Sequence, residues 1–104
     1  MSTITASNRE DKVLKNALQI IRKHLNPSQN LLFGSRAKGT FTKGSDFDIA
    51  VDVKKPEINI RRKISDEIEG SCGLYNVDIV YLEGLDKNFK SLILEQGKLI
   101  YGRN

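Results

Sequence analysis

The chain has 104 residues, 38% of them hydrophobic and 29% charged, which suffices for one modest core and not for two. No apolar run approaches the roughly 20 residues needed to cross a membrane, so a helical span is excluded. A single cysteine, Cys72, rules out an internal disulfide and suits a reducing cytoplasm, while a single histidine, His24, leaves little room for His-rich metal sites or Ser-His-Asp catalysis. The net charge of +4 and pI near 9.3 favour acidic partners such as nucleotides, nucleic acid or an acidic protein. The densest basic run, Arg61-Arg62-Lys63, reads as a solvated helix face.

Residues 1–7 are polar and read as a frayed start to a single domain covering 1–104, not as a signal peptide. Asn8 to Leu25 is predicted as a helix, capped by Asn8, with Leu14, Ala17, Leu18, Ile21 and Leu25 on one face. Asn26-Pro27 ends it. Leu31 to Phe33 is a short apolar strand running into Gly34. Ser35 to Lys38 could form one helical turn, closed by Gly39, and Thr40 to Ser45 a loop. Asp46 to Val53 alternates as a strand, with Phe47, Ile49, Val51 and Val53 opposite Asp46, Asp48, Ala50 and Asp52.

A second helix is predicted over Asn59 to Glu69, with Ile60, Ile64 and Ile68 inward and Gly70 and Gly73 marking its end. Cys72 reads as a small, partly buried side chain near that end. Val77 to Leu82 is a further strand. Asp86 caps a third helix to about Gln96, with Phe89, Leu92 and Ile93 inward and Gly97 as its stop; Lys98 to Tyr101 is a last strand. The order α-β-β-α-β-α-β implies an α/β (α+β) domain, one small sheet covered by helices. No local pattern orders the strands.

Residues 34 to 48, Gly-Ser-Arg-Ala-Lys-Gly-Thr-Phe-Thr-Lys-Gly-Ser-Asp-Phe-Asp, carry the chemistry. A strand ending at glycine and entering a helical turn aims free backbone N–H groups outward, which suits a phosphate. Gly34 lets a ligand approach the backbone, the Ser35 hydroxyl could hold phosphate oxygens, and Arg36 or Lys38 could add positive charge. The Walker A pattern is absent, and Gly-Ser alone fits an ordinary serine-capped turn better.

Asp46 and Asp48 project to one face of a strand and can share a divalent metal, which takes oxygen ligands at about 2.0–2.1 Å when it is Mg²⁺. Exposed strands also carry such pairs by chance. Asp78 adds weight, because it interrupts an apolar strand, where a buried unpaired acid is costly. If the two strands are neighbours, three aspartates meet, and two cations about 3.5–4 Å apart would relieve their repulsion. Asp78 is then placed to take up or orient the proton of an attacking hydroxyl. The alternative is that Asp78 pairs with a lysine or arginine. Asp52 reads as peripheral.

Gly34-Ser35, a spacer, Asp46-x-Asp48 and a lone strand Asp78 resemble the signature of the polymerase-beta nucleotidyltransferase superfamily. The string Gly-Ser-Arg-Ala-Lys-Gly…Ser-Asp-Phe-Asp-Ile-Ala-Val resembles its short branch, the minimal nucleotidyltransferases (MNT). The resemblance implies a mixed sheet flanked by helices and Mg²⁺-dependent transfer of a nucleoside monophosphate to a hydroxyl. It implies that Asp46 and Asp48 hold both ions, that Asp78 completes the first ion's site, and that Gly34 and Ser35 contact the triphosphate, with Arg36, Lys38 and Ser45 as further nucleotide contacts. Many such proteins are antitoxins paired with a HEPN ribonuclease toxin, which implies AMP transfer from ATP to a toxin tyrosine. A homo- or hetero-oligomer is expected of so small a core. The competing expectations are transfer to a small molecule such as an aminoglycoside, neutralisation of a partner by binding alone, and simple nucleic-acid binding. The last rests only on the basic balance, so nucleic acid is not expected as the direct substrate.

Overall fold

The structure is a computed structural model that describes residues 8–34, 39, 46–73 and 75–102. In chain order it contains helix α1 (Asn8–Leu25), strands β1 (Gln29–Phe33) and β2 (Phe47–Lys54), helix α2 (Ile58–Cys72), strand β3 (Val77–Glu83), helix α3 (Lys87–Gln96) and strand β4 (Lys98–Gly102). The strands form one mixed sheet in the order β3-β2-β1-β4. The β2–β3 pair is parallel, and β1 runs antiparallel to both β2 and β4.

Alternation along β2 divides the sheet into two faces. Phe47, Ile49 and Val51 enter the larger cluster, where they meet Leu14, Ala17 and Ile21 of α1 and Ile64 and Ile68 of α2. The helical spacing of those apolar residues is what turns one stripe of each helix onto the sheet. Glu67 of α2 ties the two helices at the surface, meeting Lys23 and, at 2.5 Å, His24 Nε2. Hydrogen bonds from Lys23 first and His24 second pull the Glu67 carboxyl below its ordinary value. Ala50 points the other way, into a smaller cluster with Leu31, Leu82 and Ile93 under α3.

Two predicted boundaries and one predicted inward face change, each for a tertiary reason. β1 begins at Gln29 rather than Leu31, because β4 and β2 pair with it from both sides and draw in Gln29 and Asn30. α2 runs through Gly70 to Cys72. Burying Cys72 in the main cluster outweighs the cost of roughly 1 kcal/mol for a helical glycine. Gly73, at φ 63°, is the residue that ends the helix. In α3, capped by Asp86 through the amides of Asn88 and Phe89, only Ile93 is buried. Helical spacing turns Phe89 and Leu92 inward as well, yet they are 43% and 48% exposed, because α3 covers only a narrow part of its face of the sheet.

Asp52 anchors the chain locally. Its Oδ1 accepts from the amides of Ser28 and Gln29 at 2.9 and 3.0 Å, which fixes the entry into β1. Losing two such charge-assisted bonds is expected to cost ~1–3 kcal/mol in Asp52→Ala. A urea midpoint unchanged from wild type would contradict that role.

Candidate active site

The site grows from the end of the sheet where β1 stops and β2 starts. β1 and β2 pair in a register that sets Phe33 opposite Asp48. Gly34 follows at φ 74°, in the left-handed region that favours glycine. The chain there passes so close to β2 that a Cβ at Gly34 would lie 2.3 Å from Asp48 Oδ2. Glycine is therefore required twice at this position, by backbone angle and by the carboxylate beside it.

The parallel pairing of β2 with β3 places Asp78 in register with Asp48, so both side chains stand on the same face of adjacent strands. Asp46 lies just before β2 and is partly buried, as is Asp48. Burial first, then the charges of Asp78 and Asp46, push the Asp48 carboxyl above its ordinary value of 3.8. Asp48 thus feels the charge of both other acids. Among the described residues, no three acidic, histidine or cysteine side chains are gathered as a ready metal cage. A hard all-oxygen donor set whose members repel is nevertheless chemistry that a divalent cation would relieve.

The sequence expectation for Asp78 needs one correction. β3 is an end strand and Asp78 is exposed, so no buried-charge penalty calls for a partner. Its significance comes from its register with Asp48. Ser35, Arg36, Lys38 and Ser45, the other expected nucleotide contacts, lie outside the described residues, as do the expected helical turn at 35–38 and the loop at 40–45. Two features have no signal in the sequence. One is the contact of Gly34 with Asp48, which joins two segments that spacing alone leaves separate. The other is a groove of about 730 Å³ along β3, with Asp78 in its wall.

This sheet, with its carboxylates set on adjacent parallel strands beside a glycine turn, defines a polymerase beta-like nucleotidyltransferase fold. The chain belongs to the family described as polymerase beta, nucleotidyltransferase, whose model matches residues 15–104. No curated protein matches the sequence. Among solved structures, a toxin–antitoxin with AMP-PNP is similar at 25% identity and a TM-score of 0.70, over 94% of this chain and 76% of that one. A tri-AMPylated HEPN toxin in complex with an MNT antitoxin from Shewanella oneidensis is similar at 21% identity and a TM-score of 0.65, over 90% and 72% of the two chains. A structure assigned as a minimal nucleotidyltransferase shares 22% identity and a TM-score of 0.65, over 90% of this chain and 97% of its own. The structural neighbours are thus minimal nucleotidyltransferases and MNT–HEPN toxin–antitoxin complexes.

Proposed function

We propose that the protein is a single-domain, Mg²⁺-dependent nucleotidyltransferase of the cytoplasm that moves AMP from ATP to a hydroxyl of a protein partner. The partner of choice is a HEPN toxin with a tyrosine acceptor, which makes this chain its antitoxin. The observation that carries the reading is the register of Asp48 with Asp78 beside the Cβ-free surface of Gly34. The family adds the transferase chemistry. The toxin–antitoxin neighbour bound to AMP-PNP supports both a nucleotide and a protein partner.

In this reading Asp46 and Asp48 would hold both ions and Asp78 would complete the first ion's site. Bound Mg²⁺ would neutralise the phosphates and steady the leaving pyrophosphate. The acceptor oxygen bonds to the α-phosphorus as the bond to the pyrophosphate oxygen breaks. The acceptor's proton passes to Asp78, whose exposure leaves it open to an incoming group, and from there to solvent. Gly34, with no Cβ, keeps the backbone close to the Asp48 carboxylate and would contact the triphosphate there, while Ser35, Arg36, Lys38 and Ser45 would contribute hydroxyls and positive charge to it.

Incubation with ATP, Mg²⁺ and the HEPN protein of an adjacent gene is expected to add AMP-sized increments to the partner's intact mass. A folded protein that gives no increment would refute the transfer. Neutralisation that survives an Asp46→Ala/Asp48→Ala double substitution would instead assign inhibition to contact alone.

A further inference from the structure

We infer that the groove along β3 seats an extended, acid-bearing segment of the acceptor polypeptide, which adds a fifth strand to the sheet. The groove, about 730 Å³, is lined by every residue from Val77 to Tyr81. Consecutive strand residues point to opposite faces, so a cavity that touches all of them wraps the strand's edge and not one face. β3 is the end of the sheet, and among the described residues its outer backbone groups have no ladder partner. Ser65 and Ile68 of α2 wall the groove on one side and Phe89 of α3 on the other. The space between these walls follows the edge.

Exposed edges are normally blunted by lysine, proline, shortness or irregular pairing. β4, at the opposite side of the sheet, shows this: it is short, opens on Lys98, and its pairing with β1 slips at Asn30 and Leu31. β3 is longer and runs Ile79-Val80-Tyr81-Leu82 without a charge. An edge of that kind is suited to receiving a strand, with the backbone supplying affinity and the walls selecting side chains. Lys55 and Arg61 line the groove against Glu83 alone once Asp78 is engaged with the reaction, so the remaining charge favours an acidic segment.

The choice of occupant rests on the transferase reading, since an acceptor hydroxyl must reach Asp78 and the groove leads there. A second copy paired along β3 would instead cover Asp78 and shut the acceptor out.

The probe is a short synthetic peptide of alternating valine and glutamate around a central tyrosine, set against the same peptide with N-methylated backbone amides. Amide exchange of the full chain is read by NMR, and ATP binding is measured separately by calorimetry. The expected result is slower exchange confined to residues 77–83 with the first peptide and none with the second. Ser65 is exposed, so Ser65→Trp fills the groove without entering the core. It is expected to weaken the peptide by about tenfold or more and leave ATP binding unchanged. Three results would overturn the proposal: no protection of β3, equal binding of the N-methylated peptide, or protection that appears on raising protein concentration without peptide. Protection of β3 in a protein that fails to bind ATP would leave the groove standing and remove the transferase reading alone.

Discussion

Asp48→Asn is expected to abolish nucleotidyl transfer and, in the metal-free protein, to raise the melting temperature. The loss of transfer would follow from removing the proposed shared ion ligand, and a fall of roughly a thousandfold or more corresponds to ~4 kcal/mol of transition-state stabilisation. The gain in stability follows from the raised pKa of Asp48. A carboxyl whose folded-state pKa exceeds its unfolded value binds its proton more tightly when folded. That contribution is present at low pH and is lost as pH rises through the folded-state value. At neutral pH the ionised group is a liability, and asparagine removes it. Because the site is partly solvated, the gain is on the order of 1 kcal/mol or less, a shift of a few degrees for a domain of this size. Mg²⁺ is expected to raise the melting temperature of wild type and not of the variant. Scanning calorimetry at two pH values, with and without Mg²⁺, reads the stability changes, and an AMP-transfer assay reads the loss of activity. A variant no more stable than wild type without metal would undo the account of burial and repulsion, and retained transfer would undo the ligand role.

Gly34→Ala should damage the same site from the opposite side. Holding alanine at φ 74° costs ~1–2 kcal/mol on backbone grounds alone. Its Cβ would also stand 2.3 Å from Asp48 Oδ2, a separation no real pair tolerates. The cheapest escape is rotation of the Asp48 carboxylate, the group proposed to hold the ions. Misplacement by about 1 Å can cost a hundredfold in rate, so transfer should fall by ~10² or more while the fold survives. A double-mutant cycle with Asp48→Ala gives the sharper test. Removing the carboxylate removes the collision, so the two changes in stability should fail to add, by ~0.5–3 kcal/mol. Strict additivity would mean that the strain lies elsewhere.

Much of the architecture is legible because it is written in local periodicity. The two-residue alternation of Phe47, Ile49 and Val51 against Asp48, Ala50 and Asp52 assigns β2 and both of its faces. The spacing of Ile60, Ile64 and Ile68 assigns the inner stripe of α2, and Asp86 announces α3 as its cap. The same locality explains the misreadings. Gly70 reads as a stop because propensity is local, whereas the burial of Cys72 that overrides it is not. Phe89 and Leu92 have the spacing of a core stripe, but the area of sheet available to α3 is invisible in the chain. Asp52 shares a face with Asp48, yet only the folded chain brings the amides of Ser28 and Gln29 to it.

By itself the sequence determined the elements and their order, and it singled out the three acids proposed to form the site. The two-residue period of a strand leads one to expect Asp46 and Asp48 on one face, although Asp46 lies one residue before β2. Tertiary structure decided that β3 lies parallel to β2 in the register that brings Asp78 to Asp48, and that Gly34 closes against the same carboxylate. It also decided that β3 is an end strand, so that Asp78 opens onto a groove. Side-chain periodicity says which face of an element is buried and nothing about which strand lies beside it. That choice is made by pairing and packing between segments far apart in the chain, and here it brings Gly34, Asp48 and Asp78 to one place.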